Sequence, residues 1–228
     1  FKCCAGIMVT ASHNPSKYNG YKAYNEEGCQ LTLEAADEVL EQIEKVDIFN
    51  DVKIIAGDKS PLIEPISEVV TEAFLSAVMK ESTCVDCADL SVVYTPLNGT
   101  GNLPVRKIME RIGVKNVAIV KEQELPDGNF PTCPYPNPEK KEALTLGLAL
   151  CKKLSDEGNA PDLLLATDPD CDRVGIAARH KDAGGNDDYQ LITGNEAGVL
   201  LLDYICTIRE PQAPPDRCQR TLSPSRPS

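Results

Sequence analysis

The sequence predicts a layered α/β fold, because apolar runs of strand length alternate with segments of helical periodicity. Over residues 90–178 the order is strand, helix, strand, helix, strand and a further strand. This order is typical of domains in which helices pack against a sheet. Hydrophobic residues make up 42% of the 228 residues, so the chain has enough apolar side chains for a packed core.

The individual elements follow from the spacing of the apolar side chains. Thr32 is a suitable N-cap for the first helix, and Gly113 is a suitable stop for the third. The predicted helices are 33–46, 66–78, 104–112, 139–154 and 195–208, and the predicted strands are 1–10, 90–95, 116–121, 162–167 and 174–178.

Four segments are predicted to connect these elements or to lie outside them. Residues 57–65 indicate a linker or a domain boundary, and residues 184–185 are two glycines that indicate a turn. Residues 126–138 contain five prolines, which exclude regular structure there. Residues 209–228 are rich in Pro, Arg and Ser without an apolar period, so we expect a disordered or unrelated tail.

Composition argues against several classes of partner. Net charge is −12, from 23 basic and 35 acidic residues, and no basic stripe offsets it. Because this field repels a polyanion, we expect no nucleic-acid partner. No apolar run reaches the ~18 residues of a membrane span, and no export leader is recognisable. We therefore expect no membrane partner and a cytoplasmic location.

Ten cysteines raise the question of a zinc site or of disulfides. Cys84 and Cys87 have C-x-x-C spacing, but no second pair and no His-x-x-x-His segment follows them. The spacing therefore favours reduced and structurally ordinary thiols.

The first segment with chemical potential is residues 10–22, with the sequence TASHNPSKYNGYK. Ser12 follows an apolar strand, and the Asn-Pro and Asn-Gly pairs turn the chain twice after it. His13, Lys17 and Lys22 add an imidazole and two ammonium groups nearby. A hydroxyl can carry a phosphoryl group, and cations can hold its charge. A polar, turn-rich surface loop remains the alternative.

The second segment is D-P-D-C-D-R, directly after the predicted strand 162–167. Asp168, Asp170 and Asp172 alternate, so in an extended segment their carboxylates face the same way. Like charges ~4 Å apart at an effective dielectric of ~20 repel by about 4 kcal/mol per pair, and a divalent cation would reverse that penalty. Oxygen ligands of this kind suit Mg²⁺.

An EF-hand calcium loop begins with the same pattern, but it requires Gly at its sixth position and Glu at its twelfth. Those positions hold Arg173 and Arg179, so the calcium loop is excluded. An acidic turn that ends a strand remains an alternative. Two further loops, 96–101 and 126–131, could support a phosphate site. The favoured interpretation is a plain strand–helix turn for loop 96–101 and a packing role for loop 126–131.

Together these segments resemble the α-D-phosphohexomutase family, and within it the phosphoglucomutase and phosphopentomutase-like branch. The resemblance rests on TASHNP at 10–15, YNGYK at 18–22 and DPDCDR at 168–173. Two shorter matches support it, PNPE at 136–139 and LITGNE at 191–196.

The resemblance implies three-layer α/β/α domains with mixed sheets. Residues 1–60 would be the C-terminal part of a first domain that carries the reactive serine, and residues 61–185 a complete second domain with the metal loop. Residues 186–208 would begin a third domain, and residues 209–228 would lie outside the family. Because the family has four domains, the chain would be a truncated fragment.

The resemblance also implies the chemistry. Ser12 would be the phosphorylated donor in reversible transfer between C1 and C6 of a hexose, with a sugar 1,6-bisphosphate as intermediate and activator. The expected Mg²⁺ ligands are the phosphorylated Ser12 and the side chains of Asp168, Asp170 and Asp172. The expected partner is a small phosphorylated sugar.

Three further residues receive roles from the same resemblance. Lys22 is the expected general acid/base, with simple phosphate binding as the alternative, while His13 and Arg173 would hold the phosphoserine. An inactive fragment and a noncatalytic metal- or phosphate-binding module also remain open, as do phosphopentose and mannose phosphate as substrates. A serine hydrolase is disfavoured because no G-x-S-x-G elbow surrounds Ser12.

Overall fold

A computed structural model describes residues 2–54, 60–83 and 85–209 of the chain. The strands are β1 (Gly6–Val9), β2 (Tyr21–Tyr24), β3 (Ser91–Thr95), β4 (Asn116–Ile119), β5 (Leu163–Thr167), β6 (Val174–Lys181) and β7 (Asp187–Ile192). The helices are α1 (Leu33–Ile43), α2 (Glu68–Met79), α3 (Asn102–Arg111), α4 (Thr145–Asp156) and α5 (Gly194–Arg209).

Five strands form one mixed sheet in the order β4-β3-β5-β6-β7. β3 runs parallel to both β4 and β5, whereas β6 runs antiparallel to β5 and to β7. The parallel pairs are joined by crossovers that contain α3 and α4, as connections between parallel strands require. β1 and β2 form a separate antiparallel pair. The predicted α/β class with a mixed sheet is therefore confirmed.

The alternating side chains of β3 divide the core between the two faces of the sheet. Val92 and Tyr94 belong to one apolar cluster together with Met109 of α3. Val93 belongs to a second cluster together with Cys151 of α4. Because helices cover both faces, the sheet is the middle of three layers and its strands are apolar on both sides.

The first two helices are present as predicted, but their apolar stripes are largely exposed. Thr32 caps α1 as expected, because its hydroxyl accepts a hydrogen bond from the Ala35 amide. No residue of α1 is buried. In α2 the buried side chain is Leu75, whereas Val69 and Phe74 of the predicted stripe are 77% and 57% exposed. The face of α2 that packs against α3 is therefore not the stripe that the spacing indicated.

Several bounds differ from the sequence prediction, most of all at the start of α4 and after the glycine turn. Residues 139–144 form turns instead of the first turn of α4, and the Leu144 amide donates to the Lys141 carbonyl there. The glycine turn is confirmed, with Gly185 at φ 81°, but it leads directly into β7, which was not predicted. β7 pairs with β6, so the two strands form a hairpin around this turn.

Residues 57–59 of the predicted linker and nearly all of the tail 209–228 lie outside the described residues, while residues 60–65 contain no helix or strand. Within the part of the chain that the structure describes, no helix is both long enough and apolar enough to cross a membrane.

Candidate active site

The hairpin of β1 and β2 carries the loop with the serine. The loop is closed at its base by a hydrogen bond from the Thr10 amide to the Gly20 carbonyl. Ser12 has φ 53°, a left-handed conformation that costs an L residue roughly 1–2 kcal/mol. Its amide donates to Thr10 Oγ1 at 2.8 Å. The serine is therefore held in a defined and strained position at the end of β1.

The aspartate loop begins directly after β5 and forms a turn instead of an extended segment. The Cys171 amide donates to the Asp168 carbonyl, and Cys171 has φ 60°. Asp168 Oδ1 accepts the amides of Asp172 and Arg173 at 3.1 and 3.0 Å. The predicted convergence of the three carboxylates is confirmed, with one oxygen of each within 4.8 Å of the others. A closed turn, and not alternation along a strand, produces it.

The two loops meet, so the predicted serine and aspartates lie together. The Ser12 hydroxyl donates to Asp168 Oδ2 at 3.1 Å, across 156 positions of sequence. Ser12 Oγ also lies 3.1 Å from His13 Nδ1, and which of the two atoms donates depends on the imidazole tautomer. Lys22, on β2, donates to Asp170 Oδ2 at 3.1 Å and to Asp172 Oδ2 at 2.8 Å.

Burial and hydrogen bonds shift the pKa values of the charged residues in the site. Burial raises the pKa of Asp168 to about 6, opposed by the Arg173 amide, which favours the carboxylate. Burial also favours the neutral form of Asp170, but the hydrogen bond from Lys22 leaves its pKa below the usual value. Hydrogen bonds to Asp172 and Asp170 raise the pKa of Lys22 well above the usual range. The lysine is therefore an ammonium at any physiological pH.

The aspartate cluster fits a divalent cation. Within the described residues, Asp170 Oδ1 is buried and has no hydrogen-bond partner, and the Asp170 side chain is only 6% exposed. A buried carboxylate oxygen without a donor is costly unless a cation reaches it. The ammonium of Lys22 already contacts two of the carboxylates, which shows that positive charge is stabilised there. Three carboxylates are the hard oxygen set that Mg²⁺ takes.

The loop 96–101 packs against the aspartate loop. The Thr100 amide and hydroxyl both donate to the Pro169 carbonyl, at 2.9 and 3.0 Å. Gly99 lies so close that an added Cβ would be 2.4 Å from Pro169 Cα. Because the Thr100 amide already donates to Pro169, this loop acts as a buttress of the aspartate loop, whereas a plain strand–helix turn was the favoured interpretation from the sequence. Loop 126–131 borders the neighbouring cleft of about 370 Å³, which also reaches Ser12.

Two of the predicted cationic residues, Arg173 and Lys17, form no ion pair with the aspartate cluster among the described residues. The Arg173 side chain is exposed and makes no ion pair among the described residues, although its backbone amide holds Asp168. Lys17 lies 5.1 Å from the centre of the Tyr18 ring. Two further residues at the site have no role predicted from the sequence: Thr10, which contacts both loops, and Tyr135, whose ring meets His13 edge-on at 5.9 Å. A Thr two residues before the serine is a known side chain–backbone turn pattern and could have identified Thr10.

Comparisons with known proteins match the two segments that carry the serine loop and the aspartate loop. Residues 1–48 match the family described as phosphoglucomutase/phosphomannomutase, alpha/beta/alpha domain I, and residues 72–184 match domain II of the same family. The phosphoglucomutase of Staphylococcus saprophyticus is 40% identical over 203 residues, which are 87% of this chain and 35% of that protein. The phosphoglucomutase of Staphylococcus aureus strain MRSA252 is 37% identical over 88% of this chain and 35% of its own length.

Solved structures support the fold. A phosphoglucomutase/phosphomannomutase family protein from Burkholderia thailandensis has a TM-score of 0.62 at 20% identity, over 89% of this chain and 38% of that chain. A putative phosphomannomutase from Thermus thermophilus has a TM-score of 0.58 at 24% identity, over 82% of this chain and 38% of that one.

The fold and the two matched models define a chain built from α/β/α mutase domains. This chain belongs to the phosphoglucomutase/phosphomannomutase family. The chain spans about a third of the length of the curated relatives that it matches, 35% in each case given above.

Proposed function

We propose that this chain provides the phosphoryl-carrying serine and the metal-binding carboxylates of a sugar-phosphate mutase. The complete enzyme would interconvert the 1-phosphate and the 6-phosphate of a hexose. The contact between Ser12 Oγ and Asp168 Oδ2, at 3.1 Å, supports this most directly. It brings a potential nucleophile to a carboxylate cluster that fits a metal, as phosphoryl transfer requires. The relatives named phosphoglucomutase support the same conclusion.

In the proposed transfer, the bond between Ser12 Oγ and phosphorus breaks and a bond forms between phosphorus and a sugar hydroxyl oxygen. The hydroxyl proton passes to Ser12, so atoms and charge balance. The sugar bisphosphate then reorients and returns its other phosphoryl group to Ser12. On that return the bond between phosphorus and the sugar oxygen breaks and this oxygen takes up a proton, while Ser12 Oγ loses its own proton, for which His13 Nδ1 at 3.1 Å is a candidate acceptor.

Lys22 and Arg173 would handle charge. The raised pKa of Lys22 keeps its ammonium protonated, which favours proton donation or phosphate binding over the role of a base. The guanidinium of Arg173 is exposed and therefore free to hold a phosphate of the phosphoserine or the sugar.

Asp168, Asp170 and Asp172, with the phosphate on Ser12, would hold Mg²⁺. When bound, the ion would act as a Lewis acid that neutralises charge on the transferred phosphoryl group. A sugar 1,6-bisphosphate would be the activator that phosphorylates Ser12. The buried Cys133 and Cys151 are free thiols, which supports a reducing compartment and hence the cytoplasm.

The test is the intact mass of this chain after incubation with glucose 1,6-bisphosphate and Mg²⁺, followed by peptide mapping. We expect one added phosphate on Ser12 in the parent chain and none in Ser12→Ala. Mannose and pentose bisphosphates, tested in parallel, identify the preferred sugar.

Other outcomes separate the alternatives. A phosphate on another residue, or equal labelling of Ser12→Ala, would contradict the phosphoserine. Mg²⁺ binding without any phosphate would favour a noncatalytic metal-binding module. The absence of both in this chain, with labelling of a four-domain form, would mean that the chain is an inactive part of the enzyme.

A further inference from the structure

Thr10 contacts both loops of the site, although the proposed chemistry gives it no role. Its hydroxyl oxygen accepts the Ser12 amide at 2.8 Å and donates to Asp170 Oδ2 at 3.2 Å. Thr10 and Asp170 are 160 positions apart in the sequence. A single hydroxyl therefore links the serine loop to the aspartate loop.

On the serine side, the hydroxyl of Thr10 fixes the backbone. Ser12 has φ 53°, in a region that L residues rarely adopt. Its amide has a partner in Thr10 Oγ1, through the side chain–backbone hydrogen bond that Ser and Thr commonly form in turns. This bond sets the orientation of the peptide unit before Ser12, and with it the direction in which the serine side chain leaves the loop.

On the aspartate side, the same hydroxyl orients a carboxylate. Asp170 Oδ2 accepts from Thr10 and from Lys22, whereas Asp170 Oδ1 has no partner among the described residues. Since a carboxylate is planar, fixing one oxygen also fixes where the other lies. The hydrogen bonds to Asp170 Oδ2 therefore also set the position of Asp170 Oδ1, the oxygen that is left for a cation.

Thr10 is better suited to this task than Lys22. The lysine has a long side chain and divides its hydrogen bonds between two aspartates. Thr10 is short and β-branched, which restricts its side-chain rotamers. Its backbone is tied to Gly20 at the base of the loop. The position of the Thr10 hydroxyl therefore does not depend on the Lys22 ammonium.

We propose that Thr10 is a positioning residue that couples the orientation of Ser12 to that of Asp170. This inference rests on the proposed function, because it assigns Thr10 to the phosphoserine and to the metal ligand of that site. The hydroxyl would align Ser12 and the free oxygen of Asp170 together, so that a change in one loop reaches the other.

The test compares Thr10→Val, which removes the hydroxyl at nearly constant volume, with Thr10→Ser, which keeps it. Thr145→Val is the matched control, since the Thr145 hydroxyl donates to backbone carbonyls at the start of α4. Two readouts are used: Mg²⁺ affinity by calorimetry with the metal alone, and hydrogen exchange of the Ser12 amide by NMR. The second readout requires neither metal nor sugar.

In the parent chain and in Thr10→Ser, the Ser12 amide should exchange slowly, and the two Mg²⁺ affinities should agree within about threefold. In Thr10→Val the amide should lose protection, and Mg²⁺ affinity should fall about tenfold or more, as for other residues that orient metal ligands. Thr145→Val should match the parent in both. Unchanged readouts in Thr10→Val, or equal loss in Thr10→Ser, would overturn the inference.

A fast-exchanging Ser12 amide in the parent chain would also overturn the inference, even where Thr10→Val does not fold. Failure of the parent to bind Mg²⁺ or to take up phosphate counts against the proposed function alone. The exchange of the Ser12 amide then decides the role of Thr10.

Discussion

The ammonium of Lys22 lies 2.8 Å from Asp172 Oδ2, although the two residues are 150 positions apart in the sequence. It also lies 3.1 Å from Asp170 Oδ2. One internal cation therefore offsets part of the repulsion within a cluster of three carboxylates. A divalent cation at the same cluster would meet the same carboxylate groups, so the positive charges of the lysine and of the metal repel each other there.

This repulsion predicts the effect of Lys22→Met. The variant loses the ammonium and keeps much of the apolar stem, so Mg²⁺ should bind several-fold more tightly because a nearby positive charge is gone. The metal-free chain should become less stable, because the carboxylates lose their counter-ion. Calorimetry and thermal melts with and without Mg²⁺ measure the two effects.

Lys17→Met is the matched control, because the Lys17 ammonium lies over the Tyr18 ring instead of a carboxylate. It should leave both Mg²⁺ affinity and the melting temperature near the parent values. Equal or weaker Mg²⁺ binding by Lys22→Met would show that the lysine does not repel the metal.

Asp170→Asn should weaken Mg²⁺ binding by at least about tenfold, because it removes the charge of a buried side chain whose free oxygen suits the ion. The amide is nearly isosteric, so the fold should persist. Calorimetry in the parent and the variant gives the affinities.

Asp156→Asn is the control for a lost carboxylate, since Asp156 is exposed and lies 3.9 Å from Lys152. It should bind Mg²⁺ like the parent. If Asp170→Asn also bound like the parent, the cluster would not be a metal site.

The sequence was sufficient for the chemistry of the aspartate loop but not for its geometry. Three alternating carboxylates after a buried strand predict a cation site on charge grounds alone. The turn that brings them together depends on Asp168 accepting two backbone amides and on Cys171 adopting φ 60°. Neither feature can be predicted from residue spacing. A cysteine, in particular, does not indicate a left-handed conformation.

Contacts between distant segments were the other part that spacing could not supply. The pairing of Thr10 with Asp170 joins two loops whose approach depends on how the hairpin β1–β2 sits against the sheet. For the same reason the packed face of α2 was missed, since α2 packs against α3 and its buried residue, Leu75, is not part of the predicted apolar stripe. β7 was missed because its mixed polar sequence has a weak apolar signal, although Tyr189 and Leu191 pack on the core.

The cysteines should differ sharply in reactivity. Cys151 is fully buried, and burial raises the pKa of its thiol to about 12, so it should resist alkylation at pH 8. Cys3, Cys4 and Cys29 are exposed and should react readily. Iodoacetamide labelling with peptide mapping, in native and denatured chain, measures the contrast. Native labelling of Cys151 at the rate of Cys29 would contradict the buried position.

The same thiol predicts how stability depends on pH. The pKa of Cys151 is higher in the folded chain than its ordinary value of 9.0, so deprotonation favours unfolding. Its contribution should be fully present below about pH 9 and should be lost as pH rises toward 12. Denaturant titrations of the parent and of Cys151→Ala across that range should converge at high pH. A constant difference between the two would contradict the raised pKa.

The close approach of the buttress loop to the aspartate loop predicts the effect of Gly99→Ala. An added Cβ would lie 2.4 Å from Pro169 Cα, so one of the two loops must move. Overpacking of this kind costs about 1–3 kcal/mol, and the displaced aspartates should bind Mg²⁺ several-fold more weakly. Thermal melts and calorimetry measure both losses.

Gly128→Ala is the control, because no atom lies within 4 Å of its added Cβ, and it should behave like the parent. A Gly99→Ala chain with parental Mg²⁺ affinity would show that Pro169 and the aspartates move independently.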